Sequence, residues 1–134
     1  RHDPPEPAPP WEVDGRPADA TLSLPTALHQ ALVYRLSGDM NKLHSHPAVA
    51  GAAGFERPIL HGLATMGMVG HALDLAAGRL DGKGLRSLRG RFSAPVFPGD
   101  TLSLEIWHEE RGALFRVRDG NGRDVITRGI ATFH

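Results

Sequence analysis

Apolar and polar residues alternate most regularly near the end of the chain. In TLSLEIWHEE (101–110) Leu102, Leu104 and Ile106 share one face of an extended segment. ALFRVRD (113–119) does the same with Ala113, Phe115 and Val117, its arginines lying opposite. A period of two marks a half-buried strand. The residues around these runs favour antiparallel pairing. FPGD (97–100) is a turn before the first, and DGNG (119–122) is a hairpin signal joining the second to RDVITRGIATFH (123–134), which completes a meander. LRSLRGRFSAPV (85–96) reads as a further long strand, and ATLSLPT (20–26) as a short one flanked by turn residues.

The middle of the chain has a helical period. ALHQALVYRLS (27–37) spaces Ala27, Leu28, Ala31, Leu32, Tyr34 and Leu36 for a helix that ends at Gly38. PAVAGAAGF (47–55) holds a helical turn or two, opened by Pro47 and stopped by Gly54. ERPILHG then runs extended into a helix over 62–77, closed by Gly78. That helix is apolar nearly all round, through Leu63, Ala64, Met66, Met68, Val69, Ala72, Leu73, Leu75 and Ala76, which predicts that it is largely buried. Small residues at Gly62, Ala64, Gly67 and Gly70 would admit other backbones closely. A curved antiparallel sheet packed on one long buried helix, an α+β architecture, is the economical assembly. No internal repeat is visible.

Composition narrows the functional classes. The chain of 134 residues is the size of one domain, with 40% hydrophobic residues, 22% charged residues and a formal net charge of zero. No basic excess argues for nucleic acid or an anionic membrane surface. The absence of cysteine excludes disulfides, thiolate zinc sites and cysteine nucleophiles. The longest apolar run, 62–77, is interrupted by His71 and Asp74 and is too short and too polar to span a bilayer. The first seventeen residues, RHDPPEPAPPWEVDGRP, hold six of the eleven prolines, so residues 1–19 read as a stiff linker or leader and 20–134 as the folded domain. A first residue other than Met, with that leader, suggests a chain cut from a longer protein; the expected compartment is the cytoplasm.

The loop SGDMNKLHSHP (37–47) concentrates proton-handling groups, with an Asp, an Asn and two His between a Gly and a Pro. Each has an ordinary reading. An Asp after Gly is most often a cap or an Asx-turn, and a loop His is usually solvated or bonded to backbone. His44, His46 and His61 also invite a metal reading. The His-x-His pair lies in a loop before Pro47, however, and no further ligand stands at a recognisable spacing, so no metal is expected. Tyr34 reads as core, Met66 and Met68 as packing, and His46 as structural. Arg86, Arg89 and Arg91 are either a solvated sheet face or contacts to phosphate groups.

YRLSGDMNKLHSHPAVAGAAGFERPILHG (34–62) resembles the signature of the (R)-specific enoyl-CoA hydratases, in the MaoC-like dehydratase branch of the hotdog fold. The family pattern is Gly-Asp-x-Asn-Pro-Leu-His followed downstream by a His-Gly that opens the central helix. Here it stands as Gly38, Asp39, Met40, Asn41, Lys42, Leu43 and His44, with His61 and Gly62 after. Lys42 replaces the usual Pro, which alters loop stiffness and adds a cation without removing a proton-transfer group. RFSAPVFPGDTL (91–102) is similar to the family's sheet-and-turn segment, and the resemblance covers roughly residues 20–134.

The resemblance implies a hotdog fold, with a curved antiparallel sheet wrapped around one long central helix. It also implies hydration of trans-2-enoyl thioesters, CoA esters above all, to (R)-3-hydroxyacyl thioesters, or the reverse dehydration. The chemistry fits: a carboxylate and an imidazole holding one water can serve both the attack and the protonation at C2. Asp39 and His44 are the expected catalytic pair. The backbone N–H of Gly62, at a helix N-terminus, is the expected donor to the thioester oxygen. Asn41 and His61 are expected on the substrate-binding side, Asn41 orienting the dyad or its loop and His61 supporting the loop or the helix entry. No cofactor is implied beyond the CoA or carrier-protein thioester itself. The Pro-rich leader resembles the connector before the second half of fused double-hotdog hydratases. The implied partner is therefore a second hotdog domain, as a degenerate first half, a separate subunit or a second copy of this chain (a heteromer or a homodimer), with no nucleic acid and no membrane. The rival readings are a dehydratase of carrier-protein substrates, a hotdog thioesterase and a non-catalytic acyl-binding or scaffolding subunit.

Overall fold

A computed structural model of the chain describes residues 11–13, 15–77 and 84–134. Its elements run β1 (Ala20–Pro25), α1 (Gln30–Tyr34), α2 (Pro47–Ala52), α3 (Gly62–Ala76), β2 (Leu85–Phe92), β3 (Thr101–Glu109), β4 (Gly112–Arg118) and β5 (Asp124–Phe133). Two short 3-10 segments, Arg35–Ser37 and Lys42–His44, flank the loop singled out above. The five strands form one antiparallel sheet in the order β1-β3-β4-β5-β2, and α3 packs on it. This α+β arrangement is the hotdog fold.

The strands follow the alternation. Leu102, Leu104 and Ile106 of β3 and Phe115 and Val117 of β4 are essentially inaccessible and, with Ala113, join one core beneath α3. Leu104 lies opposite Val117, and Ile106 opposite Phe115, so the two apolar faces coincide. Strand β2 ends at Phe92, short of the expected 96. Ser93 still donates its N–H to Val125, but Pro95 has none to give and the chain leaves the sheet. The FPGD turn forms as expected, with the N–H of Asp100 donating to the Phe97 carbonyl and the N–H of Phe97 donating to the Asp100 carboxylate.

The other face of the sheet is covered where residues 11–13 and 15–19 cross it. Trp11 meets Trp107 edge-on, with ring centroids 5.9 Å apart. Its indole N–H donates to the carbonyl of Gly129 at 2.9 Å, and that of Trp107 donates to the carbonyl of Arg16 at 2.9 Å. Trp107 is thereby buried on a face the alternation assigns to solvent. The preceding residues 1–10 lie outside the described residues.

Helix α3 departs from expectation in one respect. Ala64, Thr65, Val69, Gly70, Ala72 and Leu73 face the core, whereas Leu63 and Leu75 are 72% and 50% exposed. A single five-stranded sheet covers only one side of a helix that is apolar on all sides. Gly78, its expected stop, lies outside the described residues. Helix 27–37 is likewise shorter than its pattern, a single turn of α1 continued by the 3-10 segment. No helix among the described residues is long and apolar enough to cross a membrane.

Candidate active site

The site is built by a sequence of local turns. Gly38, at φ 120°, reverses the chain after Arg35–Ser37 in a conformation that glycine adopts without a Cβ penalty. The Asp39 carboxylate then accepts from the N–H of Asn41 at 3.2 Å, and the Asn41 side chain accepts from the N–H of Leu43 at 3.0 Å. These are two successive Asx-type bonds, the second capping the 3-10 segment Lys42–His44. Asn41 thus sets the course of the loop. Lys42 opens that segment, a first-turn position that also suits Pro.

The chain returns to the loop through Ile59 and Leu60. The N–H of Leu60 donates to the carbonyl of Val96 at 2.7 Å, fixing this stretch to the segment that follows β2. The carbonyl of Ile59 lies 2.8 Å from Nδ1 of His44. A carbonyl can only accept, so Nδ1 of His44 carries the proton and Nε2 of the neutral ring is left with a lone pair. One backbone contact therefore sets both the tautomer and the direction of the imidazole.

His61 precedes α3 at its N-cap position and is only 2% exposed. Its Nε2 lies 3.1 Å from the carbonyl of Asp39 and donates to it. Its ring stacks on that of His44, centroids 3.7 Å apart and planes 24° from parallel, and Tyr34 covers it at 4.7 Å. His61 accordingly touches the backbone of one member of the pair and the ring of the other, beneath the site instead of lining an open cavity. Nδ1 of His61 and Oγ1 of Thr65, one helical turn on, are buried with no hydrogen-bond partner among the described residues.

Asp39, His44 and His61 each bring one ligand-type atom to within 4.8 Å of the other two. The spacing suits one water bonded to both Asp39 and His44, since each such bond spans about 2.7–3.0 Å. The donor set also has the composition of a metal site. Stacked imidazoles, however, aim their in-plane lone pairs side by side, whereas a shared ion needs them to converge. The rings as placed fit a held water better than a common metal. His46 stands apart, exposed, its Nδ1 2.9 Å from Oγ of Ser45.

Two cavities border this cluster. One of about 180 Å³ reaches His44 and is lined also by Leu28, Ala31, Leu32, Arg57 and Pro98. The other, of about 320 Å³, lies at the start of α3 against Gly62, Ile59, Leu60, Thr65 and Phe92, with predominantly carbon walls. Gly62 is the first residue of α3, where a backbone N–H has no partner within the helix. Arg86, Arg89 and Arg91 are exposed on β2, an edge strand. Sequence reasoning did not find the Ile59 carbonyl, the His44–His61 stack or the Tyr34 contact. A carbonyl carries no side-chain signal, and the ring contacts join residues distant in the chain.

With this geometry in place, the relatives are informative. The MaoC like domain matches residues 12–129, and the chain belongs to that family. It is 51% identical over 108 residues to 3-hydroxyacyl-thioester dehydratase Y of Mycobacterium tuberculosis, a match covering 79% of this chain and 37% of that protein. It is 44% identical over 115 residues to peroxisomal multifunctional enzyme type 2 of Mus musculus, covering 85% of this chain and 16% of the other. The crystal structure of a MaoC-like dehydratase from Phytophthora capsici superposes with a TM-score of 0.88 at 36% identity, over 96% of this chain and 46% of that one. The chain therefore spans less than half the length of each of these relatives.

Proposed function

We propose that this chain is a catalytic hotdog domain that adds water to trans-2-enoyl thioesters, giving (R)-3-hydroxyacyl thioesters, and runs the reverse dehydration. The observation that carries the reading is the Asp39–His44 pair, with Nδ1 of His44 committed to the Ile59 carbonyl so that Nε2 is free to take a proton. Water held by the pair loses a proton to it as its oxygen bonds to C3. The π electrons of the double bond move towards the thioester oxygen, where the N–H of Gly62 and the positive end of α3 offset the charge. The proton taken from water is returned to C2, so the sum is the addition of one water. The names of the relatives, a thioester dehydratase among them, support the same chemistry. CoA is the favoured carrier, entering as part of the substrate, and no metal or redox group is needed for the steps described.

The domain works paired with a second hotdog domain. Leu28, Leu32, Val33, Leu36, Met40 and Leu63, from the stretch 28–40 around α1 and from the start of α3, are large, apolar and exposed. So much apolar side chain beside one site marks a covered surface. The small size and separation of the two cavities agree with a substrate channel completed by the other domain.

The test follows the enoyl-thioester absorbance with crotonyl-CoA and a longer trans-2-enoyl-CoA, with free thiol measured in parallel. Loss of absorbance without thiol release supports hydration, and thiol release would establish a thioesterase instead. Activity confined to carrier-protein thioesters would move the substrate assignment. A folded protein inert to all of them would leave the acyl-binding subunit.

A further inference from the structure

Phe92 stands at the junction between the sheet and the cavity beside Gly62. It is the last residue of β2, paired with Ile126, and the next residue is held by the bond from Ser93 N–H to Val125. The backbone is therefore anchored on both sides of it. The side chain is not, being 48% exposed despite its size. Its ring lies over Gly62 so closely that a Cβ added to that glycine would stand 3.1–3.4 Å from three ring carbons. Phe92 and Gly62 line the same cavity of about 320 Å³, together with Ile59, Leu60 and Thr65. That volume is at the lower end of what ligand pockets of about 300–1,000 Å³ provide.

We infer that Phe92 is a specificity-determining residue, its ring forming a movable wall between the Gly62 N–H and the apolar cavity and so setting the length of acyl chain accepted. The assignment rests on the hydratase reading above. A thioester oxygen that reaches Gly62 brings its acyl chain past this ring. A short chain passes with the ring in place, whereas a long one requires the ring to turn outward. Half exposure and an anchored backbone permit that rotation without disturbing the strand. Phe92 has no polar atom and takes no part in proton transfer, so its effect falls on which substrate is used and not on the pH dependence of the reaction.

The experiment compares the parent protein with Phe92→Ala and Phe92→Leu, measuring kcat/KM for hydration of crotonyl-CoA and of trans-2-decenoyl-CoA, with thermal unfolding alongside. Removal of the ring is expected to raise the decenoyl-to-crotonyl ratio about tenfold or more, with Leu intermediate, because apolar pocket size discriminates on that scale. The pH profile should be unchanged. An unchanged ratio in folded, active variants overturns the wall. Loss of cooperative unfolding in both variants also overturns it, because the ring would then be part of the core. A parent protein that hydrates neither these CoA esters nor the corresponding carrier-protein thioesters removes the hydratase reading itself, an outcome distinct from either of these.

Discussion

Asp39→Asn separates the chemistry of the loop from its architecture. Among the described residues the Asp39 side chain makes one hydrogen bond, accepting from the N–H of Asn41 at 3.2 Å, and is otherwise exposed. An Asn carbonyl oxygen can accept the same bond, so the turn leading into Lys42–His44 survives. Stability should then stay within about 0.5 kcal/mol of the parent, as for most exposed substitutions. What disappears is the carboxylate proposed above to share a water with His44. General acid–base groups contribute about 10²- to 10⁴-fold, equivalent to about 2.7–5.4 kcal/mol of activation free energy at 1.36 kcal/mol per decade. Initial rates of crotonyl-CoA hydration should fall in kcat by that factor, with KM nearly constant and the thermal midpoint unmoved. Asp39→Ala should match the loss of rate and in addition lose stability, by about 0.5–1.5 kcal/mol for the missing turn bond. The reasoning fails if the Asn variant keeps more than a tenth of the parent rate. It fails equally if the rate and the thermal midpoint fall together in the Asn variant, since Asp39 would then act as a structural cap alone.

Two further outcomes test the frame that holds the site. Gly129→Ala would place a Cβ 2.5–2.6 Å from three ring atoms of Phe115, which is fully buried and has nowhere to move. Overpacking of this kind destabilises by about 1–3 kcal/mol, to be read from the denaturant midpoint, and an unshifted midpoint would refute the packing. Asp119 anchors the β4–β5 hairpin: burial alone pushes its carboxyl up, but the N–H groups of Arg123 and Asn121 and the guanidinium of Arg123 outweigh burial and hold it below its ordinary 3.8. Protonation is therefore harder folded than unfolded, so Asp119 adds stability above about pH 3.9 that is lost as pH falls through its lower folded pKa. Melting the parent and Asp119→Asn from pH 7 downward should show a gap that narrows in that range, and a gap constant with pH would contradict the assignment.

The period-two runs of β3 and β4 could be read directly because alternation is a local consequence of strand geometry, and the DGNG segment specified its hairpin through residues that tolerate the turn. Gly38, Asp39, Asn41 and His44 were legible for a similar reason: the Asx-type bonds that shape their loop join residues only two apart. What those side chains face was not legible. The contact that fixes the His44 tautomer comes from a backbone carbonyl fifteen residues away, and the one from Trp11 to Gly129 spans 118 residues. Such pairs form only when the sheet has brought distant segments together, and no local pattern encodes them. Composition likewise marked residues 1–19 as leader, while the apolar face around Trp107 decided where Trp11 and Arg16 lie. The sequence by itself determined the element types and the turns, and it marked the candidate site residues, all through near neighbours. Tertiary structure decided which face of α3 is buried, how His61 supports the pair and that Phe92 lies over Gly62, because those depend on how much surface one sheet can cover and which distant side chains it brings into contact.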